Sequence, residues 1–393
     1  MTKVSARALL SVLSLFALFC AAGLAQTSSS KRQPARKSSS TKPGAKTAKK
    51  PAAKKTPARR PVTRERFYTN SFADDAGAGD ITPGEDQMVR AAAVEALGNM
   101  NGTAVVVDPF SGRILAMVNQ KLALSSGAPP CSTIKLAVAL AALCEGLVTK
   151  DTPVQLGPQW RMNMVSAMAI SNNTYFEALG REMGFEKVSY YARLFGLGEP
   201  AGDHIAGEQR GMFPSQELDP RLGGIGKMCS FGESVYMTPL QLGALVSAIA
   251  NGGTLYSLQH PRTPEEAASF VPKVKRQLEI GPWAAEVAAG MAAAVRYGTA
   301  RSLRYIFREE PVLGKTGTCS KNGTRYGWFA CYNNSEHRRT VTVVFLQGGQ
   351  MSYGPKAVEI AARLYRNLYH QRFFAAVSPA SPDSARADSY DHR

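Results

Sequence analysis

Acidic side chains are almost missing from the first 66 residues of this 393-residue chain. Residues 1–66 contain sixteen Lys and Arg and a single acid, Glu65, so they carry +15 of the chain's formal charge of +17. The other 327 residues hold 31 basic and 29 acidic side chains and are close to neutral. This distribution excludes a uniformly basic nucleic-acid-binding domain, whose positive residues should lie on the folded face that docks.

Cysteine is scarce, and its spacing is uninformative. Six cysteines are present, and five remain once Cys20 in the N-terminal apolar run is set aside. No pair has the spacing of metal ligands, and an odd number leaves at least one free thiol. The chain is 44% hydrophobic and long enough to bury a core without such supports. We therefore predict no disulfide framework, no metal site and no cofactor.

A long apolar run occurs at the N-terminus. Lys3 and Arg7 precede the stretch 8–25, which only two serines interrupt and which ends in the small-residue pattern Gly-Leu-Ala. Residues 1–25 therefore resemble a cleavable secretory signal. Eighteen residues is also the lower limit for a membrane span, so an uncleaved anchor over 8–25 is the alternative. Both interpretations place the rest of the chain outside the cytoplasm, in the periplasm or cell envelope.

Two segments lack the large apolar residues that a packed core needs. Residues 26–66 are rich in Ser, Thr, Pro, Ala and Lys, which predicts a disordered basic linker. Behind an export signal, its charge favours contact with an anionic membrane surface or wall polymer over nucleic acid. Residues 375–393 predict a disordered C-terminal tail. One folded domain is expected between them, over residues 67–374.

The order of apolar patterns predicts an α+β fold. Two β-rich runs form a hairpin, a block of helices follows in which residues 151–253 are mostly helical, and three further strands precede a last helix. We expect the strands to join in one antiparallel sheet of about five strands, flanked by helices and accompanied by a mostly helical lobe. The predicted strands span 103–108, 113–118, 312–319, 327–333 and 339–346, and the predicted helices span 132–143, 175–183, 187–195, 239–250, 282–297 and 355–369.

Ser132 and Lys135 are the first candidate catalytic pair. Residues three apart share one face of a helix, so the hydroxyl and the amine should lie side by side. Serine is a weak nucleophile without a neighbouring base, and lysine can be that base only if its pKa is lowered. The alternative is an ordinary helix start with a solvated lysine. The apolar run that follows favours burial of Lys135 and thus the catalytic interpretation.

Ser171 and Asn173 form a second candidate. They precede a predicted helix, so a plain N-cap is the simpler interpretation. The functional interpretation places the Ser171 hydroxyl and the Asn173 amide in a cleft, where they relay a proton and bind a substrate amide.

The third candidate is the run from Lys315 through Thr316 and Gly317 to Thr318. A lysine and a glycine are unfavourable in the middle of a strand. Gly317 would allow a peptide-like substrate to approach the backbone, while the lysine and the threonine hydroxyls would attract a carboxylate. A loop-edge lysine in a hairpin is the alternative.

The three motifs together, Ser-x-x-Lys, Ser-x-Asn and Lys-Thr-Gly in this order, are the signature of penicillin-interacting serine enzymes. Residues 90–370 resemble the transpeptidase domain of penicillin-binding proteins, and the stretches 104–117, 237–253 and 327–332 support the resemblance. The resemblance implies the same fold and a serine acyl-enzyme mechanism.

By this resemblance, Ser132 is the nucleophile and Lys135 its general base, while Ser171 and Asn173 pass a proton and hold the substrate backbone. Lys315 and the segment 316–318 would bind the substrate carboxylate, and the backbone N–H groups of Ser132 and Thr318 would form the oxyanion hole.

The implied reaction is D,D-transpeptidation of peptidoglycan stem peptides that end in D-Ala-D-Ala, with β-lactams as covalent inhibitors. Cell-wall synthesis proteins are possible partners, and no nucleic acid is expected. A class D-like serine β-lactamase and a D,D-carboxypeptidase share this site. A non-catalytic β-lactam sensor or divisome scaffold is an alternative of another class.

Three cysteines depart from the family pattern. Cys131 and Cys331 stand where the family usually has glycine, and Cys319 directly follows the Lys-Thr-Gly-Thr run. Cys131 and Cys319 should therefore lie near the cleft. We expect Cys131 and Cys319 simply to fill space in the packing. The alternative hypothesis is that their oxidation affects activity.

Overall fold

The computed structural model describes residues 66–335 and 337–375. The predicted signal or anchor (1–25) lies outside these ranges, as do the predicted basic linker (26–66) except for Arg66 and the predicted C-terminal tail (375–393) except for Ala375. Within the described ranges, no helix combines the length and apolar character needed to cross a membrane.

The described residues form ten α-helices and nine strands. The helices are α1 (Gln87–Leu97), α2 (Gln120–Ala123), α3 (Lys135–Cys144), α4 (Met164–Ala169), α5 (Asn173–Leu194), α6 (Gly224–Phe231), α7 (Pro239–Asn251), α8 (Pro264–Ala268), α9 (Gly281–Arg296) and α10 (Gly354–His370). The strands are β1 (Gly102–Val107), β2 (Ile114–Val118), β3 (Val154–Gly157), β4 (Trp160–Met162), β5 (Thr254–Ser257), β6 (Lys273–Gln277), β7 (Val312–Lys321), β8 (Thr324–Asn333) and β9 (Val341–Gly348).

Five of the strands form one antiparallel sheet in the order β2-β1-β9-β8-β7. The N-terminal hairpin and the three C-terminal strands therefore join as predicted. Strand β7 carries the Lys-Thr-Gly-Thr run and pairs only with β8, opposing Lys315 to Ala330. Its outer edge is consequently available to another backbone.

The sheet separates two apolar cores because neighbouring residues of a strand point to opposite faces. Val105 and Val107 pack with α3, α5 and α7 on one face. Ala104 and Val106 pack with α1 and α10 on the other. The predicted α+β arrangement is thus confirmed, although sequence analysis assigned no element to α1.

The predicted helix over 132–143 has two parts. Residues Cys131–Ile134 form a 3₁₀ turn, and α3 continues from Lys135 without interruption. Every residue from Lys135 to Leu143 is buried, as the apolar pattern predicted. This burial fixes α3 in the core and sets the position of the turn in front of it.

The middle of the chain is less regular than predicted. Helix α5 contains a break at Gly184, whose φ of 73° separates the two helices expected there. The prediction that 151–253 is mostly helical is wrong for the β3–β4 ribbon and for residues 195–219, which form turns and isolated bridges. These residues are rich in Gly, Pro and polar side chains, which favour turns over helix.

The burial of α3 predicts a large difference between two leucine truncations. Leu140 in α3 is fully buried, whereas Leu222 is 63% exposed. Leu140→Ala should lower the free energy of unfolding by about 2–5 kcal/mol because it leaves a cavity, and Leu222→Ala should change it by less than about 0.5 kcal/mol. Urea denaturation of both variants measures this, and equal effects would contradict the proposed packing.

Candidate active site

Ser132 lies in the 3₁₀ turn, and Lys135 is the first residue of α3. The turn brings the two side chains together, with Lys135 Nζ 2.9 Å from Ser132 Oγ. The serine is partly exposed to the cleft, and the lysine is fully buried. The predicted side-by-side geometry is therefore present.

Four oxygen atoms surround the amine of Lys135. Its Nζ atom lies 2.9 Å from Ser132 Oγ, 2.9 Å from the carbonyl oxygen of Ser171, 3.2 Å from Ser171 Oγ and 2.6 Å from Asn173 Oδ1. The carbonyl oxygens of Ser171 and Asn173 can only accept hydrogen bonds. They can take the two N–H groups of a neutral amine, which leaves its lone pair for a hydroxyl proton. The neutral form of Lys135 is thus fully satisfied.

The electrostatics favour that neutral form. Burial lowers the pKa of Lys135 to about 7, against the opposing influence of the Glu177 carboxylate. The physical cause is that removal from water disfavours the charged form of an amine. An amine with this pKa can accept a proton near neutral pH.

The loop between α4 and α5 presents Ser171. Its φ is 56°, an unusual value for a residue with a side chain. The N-cap of α5 is Asn172, whose side chain accepts a hydrogen bond from the Tyr175 N–H. The Ser171 hydroxyl is therefore not used as a cap, and it contacts the amines of Lys135 and Lys315.

Lys315 enters the site from β7 and is fully buried. Its amine donates to Ser171 Oγ at 2.7 Å and to the Thr316 carbonyl at 2.8 Å. Burial, together with the positive charge of Lys135, lowers the pKa of Lys315 well below its usual range. The Ser171 hydroxyl thus connects the two lysines.

The side chains of Thr316 and Thr318 lie on the face of β7 opposite to that of Lys315. Thr316 Oγ1 lies 2.7 Å from Thr299 Oγ1, and Thr318 Oγ1 accepts a hydrogen bond of 2.8 Å from the Gly354 N–H at the start of α10. The site accordingly places hydroxyl groups along the face of the strand that borders the cleft.

Gly317 does allow a close backbone approach, but the approaching backbone is the chain's own. A Cβ atom at this position would lie 3.0 Å from the Pro130 carbonyl oxygen and 3.2 Å from side-chain atoms of Thr133 and Trp328. The glycine lets β7 pack against the turn that carries Ser132. The sequence argument, which invoked a substrate, did not anticipate this partner.

A cleft of about 550 Å³ opens in front of these groups. Its lining residues are Ser132, Ser171, Thr299, Arg301, Ser302, Tyr305, Thr316, Thr318 and Pro355. Sequence reasoning missed the residues that follow α9. A Gly-Thr pair after an Ala-rich helix is typical of a helix end, so no local signal marked this segment.

Cys131 and Cys319 form a disulfide, with their Cα atoms 5.5 Å apart. The prediction of no disulfide framework is therefore wrong for this pair, and so is the expectation that these two cysteines merely fill space. Spacing could not reveal the pair because 188 residues separate the two positions. In the described part of the chain, Cys144, Cys229 and Cys331 are free, and Cys331 is buried.

Comparisons with known proteins agree with this architecture. The family described as the penicillin binding protein transpeptidase domain matches residues 102–367. Stage V sporulation protein D of Bacillus subtilis is 28% identical over 260 residues, which is 56% of this chain and 40% of the relative. Peptidoglycan D,D-transpeptidase MrdA of Acinetobacter baumannii is 24% identical over 315 residues, 65% of this chain and 46% of the relative. The chain thus spans less than half the length of these two relatives.

A solved structure shares the fold. The transpeptidase domain of penicillin-binding protein 3 from Burkholderia pseudomallei, without ligand, has a TM-score of 0.63 at 20% identity. The match covers 78% of this chain and all of that domain.

The contact between Asn173 and Lys135 predicts the effect of a charge at position 173. Asn173→Asp would place a carboxylate at the oxygen now 2.6 Å from Nζ and should raise the pKa of Lys135 by about one to three pH units. NMR titration of ¹³C-labelled lysine side chains measures this value. The matched control is Asn172→Asp, whose side chain caps α5; equal shifts in the two variants would contradict the geometry.

Proposed function

We propose an activity for this chain on the premise that it belongs to the family of penicillin-binding protein transpeptidase domains, whose model covers residues 102–367. The chain is a serine D,D-transpeptidase that crosslinks peptidoglycan stem peptides through an acyl-enzyme. The observation that carries the proposal is the continuous set of contacts from Ser132 through Lys135 and Ser171 to Lys315.

Acylation begins with proton transfer from Ser132 to the neutral amine of Lys135. The serine oxygen attacks the carbonyl carbon of the penultimate D-alanine, and a tetrahedral oxyanion forms. The backbone N–H groups of Ser132 and Thr318 stabilise this oxyanion electrostatically. The burial of Lys135 supports the step because it lowers the pKa of the amine to about 7, so that a large fraction of the base is uncharged near neutral pH.

The leaving amine then needs a proton. Ser171 Oγ lies 3.2 Å from Lys135 Nζ and 2.7 Å from Lys315 Nζ. The hydroxyl can donate its proton to the amine and recover one from Lys135. D-Alanine departs, and the ester that remains on Ser132 is attacked by the amine of a second stem peptide, or by water in a carboxypeptidase.

Strand β7 supplies the binding surface for the peptide. Its outer edge can add an extended substrate as a further strand. The hydroxyls of Thr316 and Thr318 border the cleft, and the buried Lys315 contributes a positive field when protonated. Together with Gly317, which keeps β7 close to Ser132, these residues hold the substrate carboxylate, and Asn173 holds its backbone.

We place this domain outside the cytoplasm, in the cell envelope. Disulfides persist in oxidising compartments, so the Cys131–Cys319 bond supports the export inferred from residues 1–25. The basic residues 26–66 would then meet an anionic membrane or wall polymer. Proteins of cell-wall synthesis are the partner class that we propose.

Covalent labelling with a fluorescent penicillin tests the activity class. The wild type should form a stable adduct at one site, and Ser132→Ala should form none because the nucleophile is lost. Ser320→Ala is the matched control, since this exposed serine lies on the same strand as Thr318, and it should label normally.

Four results would contradict the proposal. No labelling of the wild type would remove the serine enzyme assignment, and rapid release of the label would indicate a β-lactamase. A stable adduct with hydrolysis of a stem peptide but no transfer to an acceptor amine would indicate a D,D-carboxypeptidase, and a stable adduct with neither reaction would indicate a sensor.

The lowered pKa of Lys135 predicts the pH profile. Lys135 must be neutral to act as base, and its neutral fraction increases as pH rises through about 7. The second-order rate constant of acylation should therefore rise about tenfold per pH unit below 7 and level off above it. Measurement between about pH 5.5 and 8.5 covers the transition. A flat or falling profile would show that another group is the base.

A further inference from the structure

The disulfide joins the two segments that meet at the nucleophile. Cys131 lies in the 3₁₀ turn, immediately before Ser132, and Cys319 lies on β7, immediately after Thr318. Ser132 and Thr318 are the residues whose backbone N–H groups form the oxyanion hole in the proposed function. The covalent link is therefore one residue away from each half of that hole.

The backbone of Cys131 is unfavourable for a residue with a side chain. Its φ is 51°, in the left-handed region where glycine carries no penalty. Such a conformation persists when the surrounding structure imposes it. In this conformation the side chain of Cys131 is bonded to Cys319, while the turn continues directly into the buried helix α3.

Other contacts bring the same segments together without a covalent bond. The indole N–H of Trp328 donates to the Pro129 carbonyl at 2.9 Å, and Gly317 packs against the Pro130 carbonyl. Since β7 is the edge strand, its outer side is not held by a neighbouring strand. Only the disulfide fixes the part of β7 beyond Thr318 covalently to the turn, within the described residues.

We propose that the Cys131–Cys319 disulfide is a positioning element that keeps the Ser132 and Thr318 N–H groups at the separation needed to stabilise the oxyanion. The inference rests on the proposed function and assigns these cysteines a part in it. Oxyanion stabilisation acts on the transition state more than on the bound substrate. Loss of the link should therefore slow acylation while leaving the initial binding of a β-lactam largely unchanged.

A small reductant has access to the bond. Cys131 is buried, but Cys319 is partly exposed and lines a cavity of about 350 Å³ on the surface next to the cleft. A water-soluble phosphine can thus reduce the disulfide: phosphorus attacks one sulfur and the S–S bond breaks, water then displaces that sulfur from phosphorus and supplies the oxygen and both protons, and the products are two thiols and the phosphine oxide.

The test uses the full chain and the double variant Cys131→Gly/Cys319→Ala. Glycine accepts the left-handed backbone at position 131, so this variant removes the link without imposing strain. Stopped-flow acylation by a fluorescent penicillin separates the dissociation constant of initial binding from the acylation rate constant. We expect the rate constant to fall about 10- to 100-fold and the dissociation constant to change less than about threefold.

Two controls separate positioning from general stability. Cys144→Ala removes a cysteine in α3 that forms no disulfide in the structure and should acylate like the wild type. Phosphine treatment of the wild type should expose two additional thiols, lower its acylation rate constant to that of the double variant and leave the double variant unchanged. Rates are normalised to the fraction of enzyme that the penicillin finally labels, which corrects for unfolded protein.

The outcomes separate this inference from the proposed function. A double variant and a reduced wild type that acylate at the untreated rate, whatever their thermal stability, would overturn the positioning role while the serine enzyme assignment stands. A rise in the dissociation constant with an unchanged rate constant would also overturn it. A wild type that forms no adduct would overturn the proposed function, and this inference with it.

Discussion

The amine of Lys135 has to remain buried away from water and still touch a hydroxyl at the edge of a cleft, and the rest of the site depends on this constraint. Burial of a lysine is costly unless it loses its charge. Two carbonyl oxygens, from Ser171 and Asn173, satisfy its N–H groups at 2.9 and 2.6 Å. The pocket thus selects the neutral form, which is the form that can take a proton from Ser132.

The fold meets this constraint by using three separate parts of the chain. Helix α3 is buried along its length and fixes Lys135 at its first residue. The loop before α5 supplies Ser171, and the edge strand β7 supplies Lys315. Lys315 Nζ lies 2.7 Å from the shared Ser171 hydroxyl, and the positive charge of Lys135 adds to burial in lowering the pKa of Lys315. Both amines contact the Ser171 hydroxyl, so the role of each lysine depends on residues outside its own motif.

Several features followed from local pattern. The five strands were predicted from β-branched runs and turn residues, and α3 from an uninterrupted apolar stretch. The pairing of Ser132 with Lys135 followed from a spacing of three residues, which places two side chains on one face. The roles of Asn172 and Ser171 did not follow, because either residue is a suitable N-cap and only the loop geometry assigns the cap to Asn172. Thr299 was not among the predicted site residues because it enters the site through a contact with Thr316, which lies on a different secondary-structure element.

The sequence by itself determined the types of chemical group, their order and the periodicity of the elements that carry them, since these depend on neighbours a few residues away. The tertiary structure decided which groups meet. The Cys131–Cys319 bond, the approach of Pro130 to Gly317 and the contact of Lys315 with Ser171 all join positions more than 140 residues apart. Such contacts arise from sheet order and helix packing, and no local pattern records them. The physical reason is that burial and proximity are properties of the folded chain.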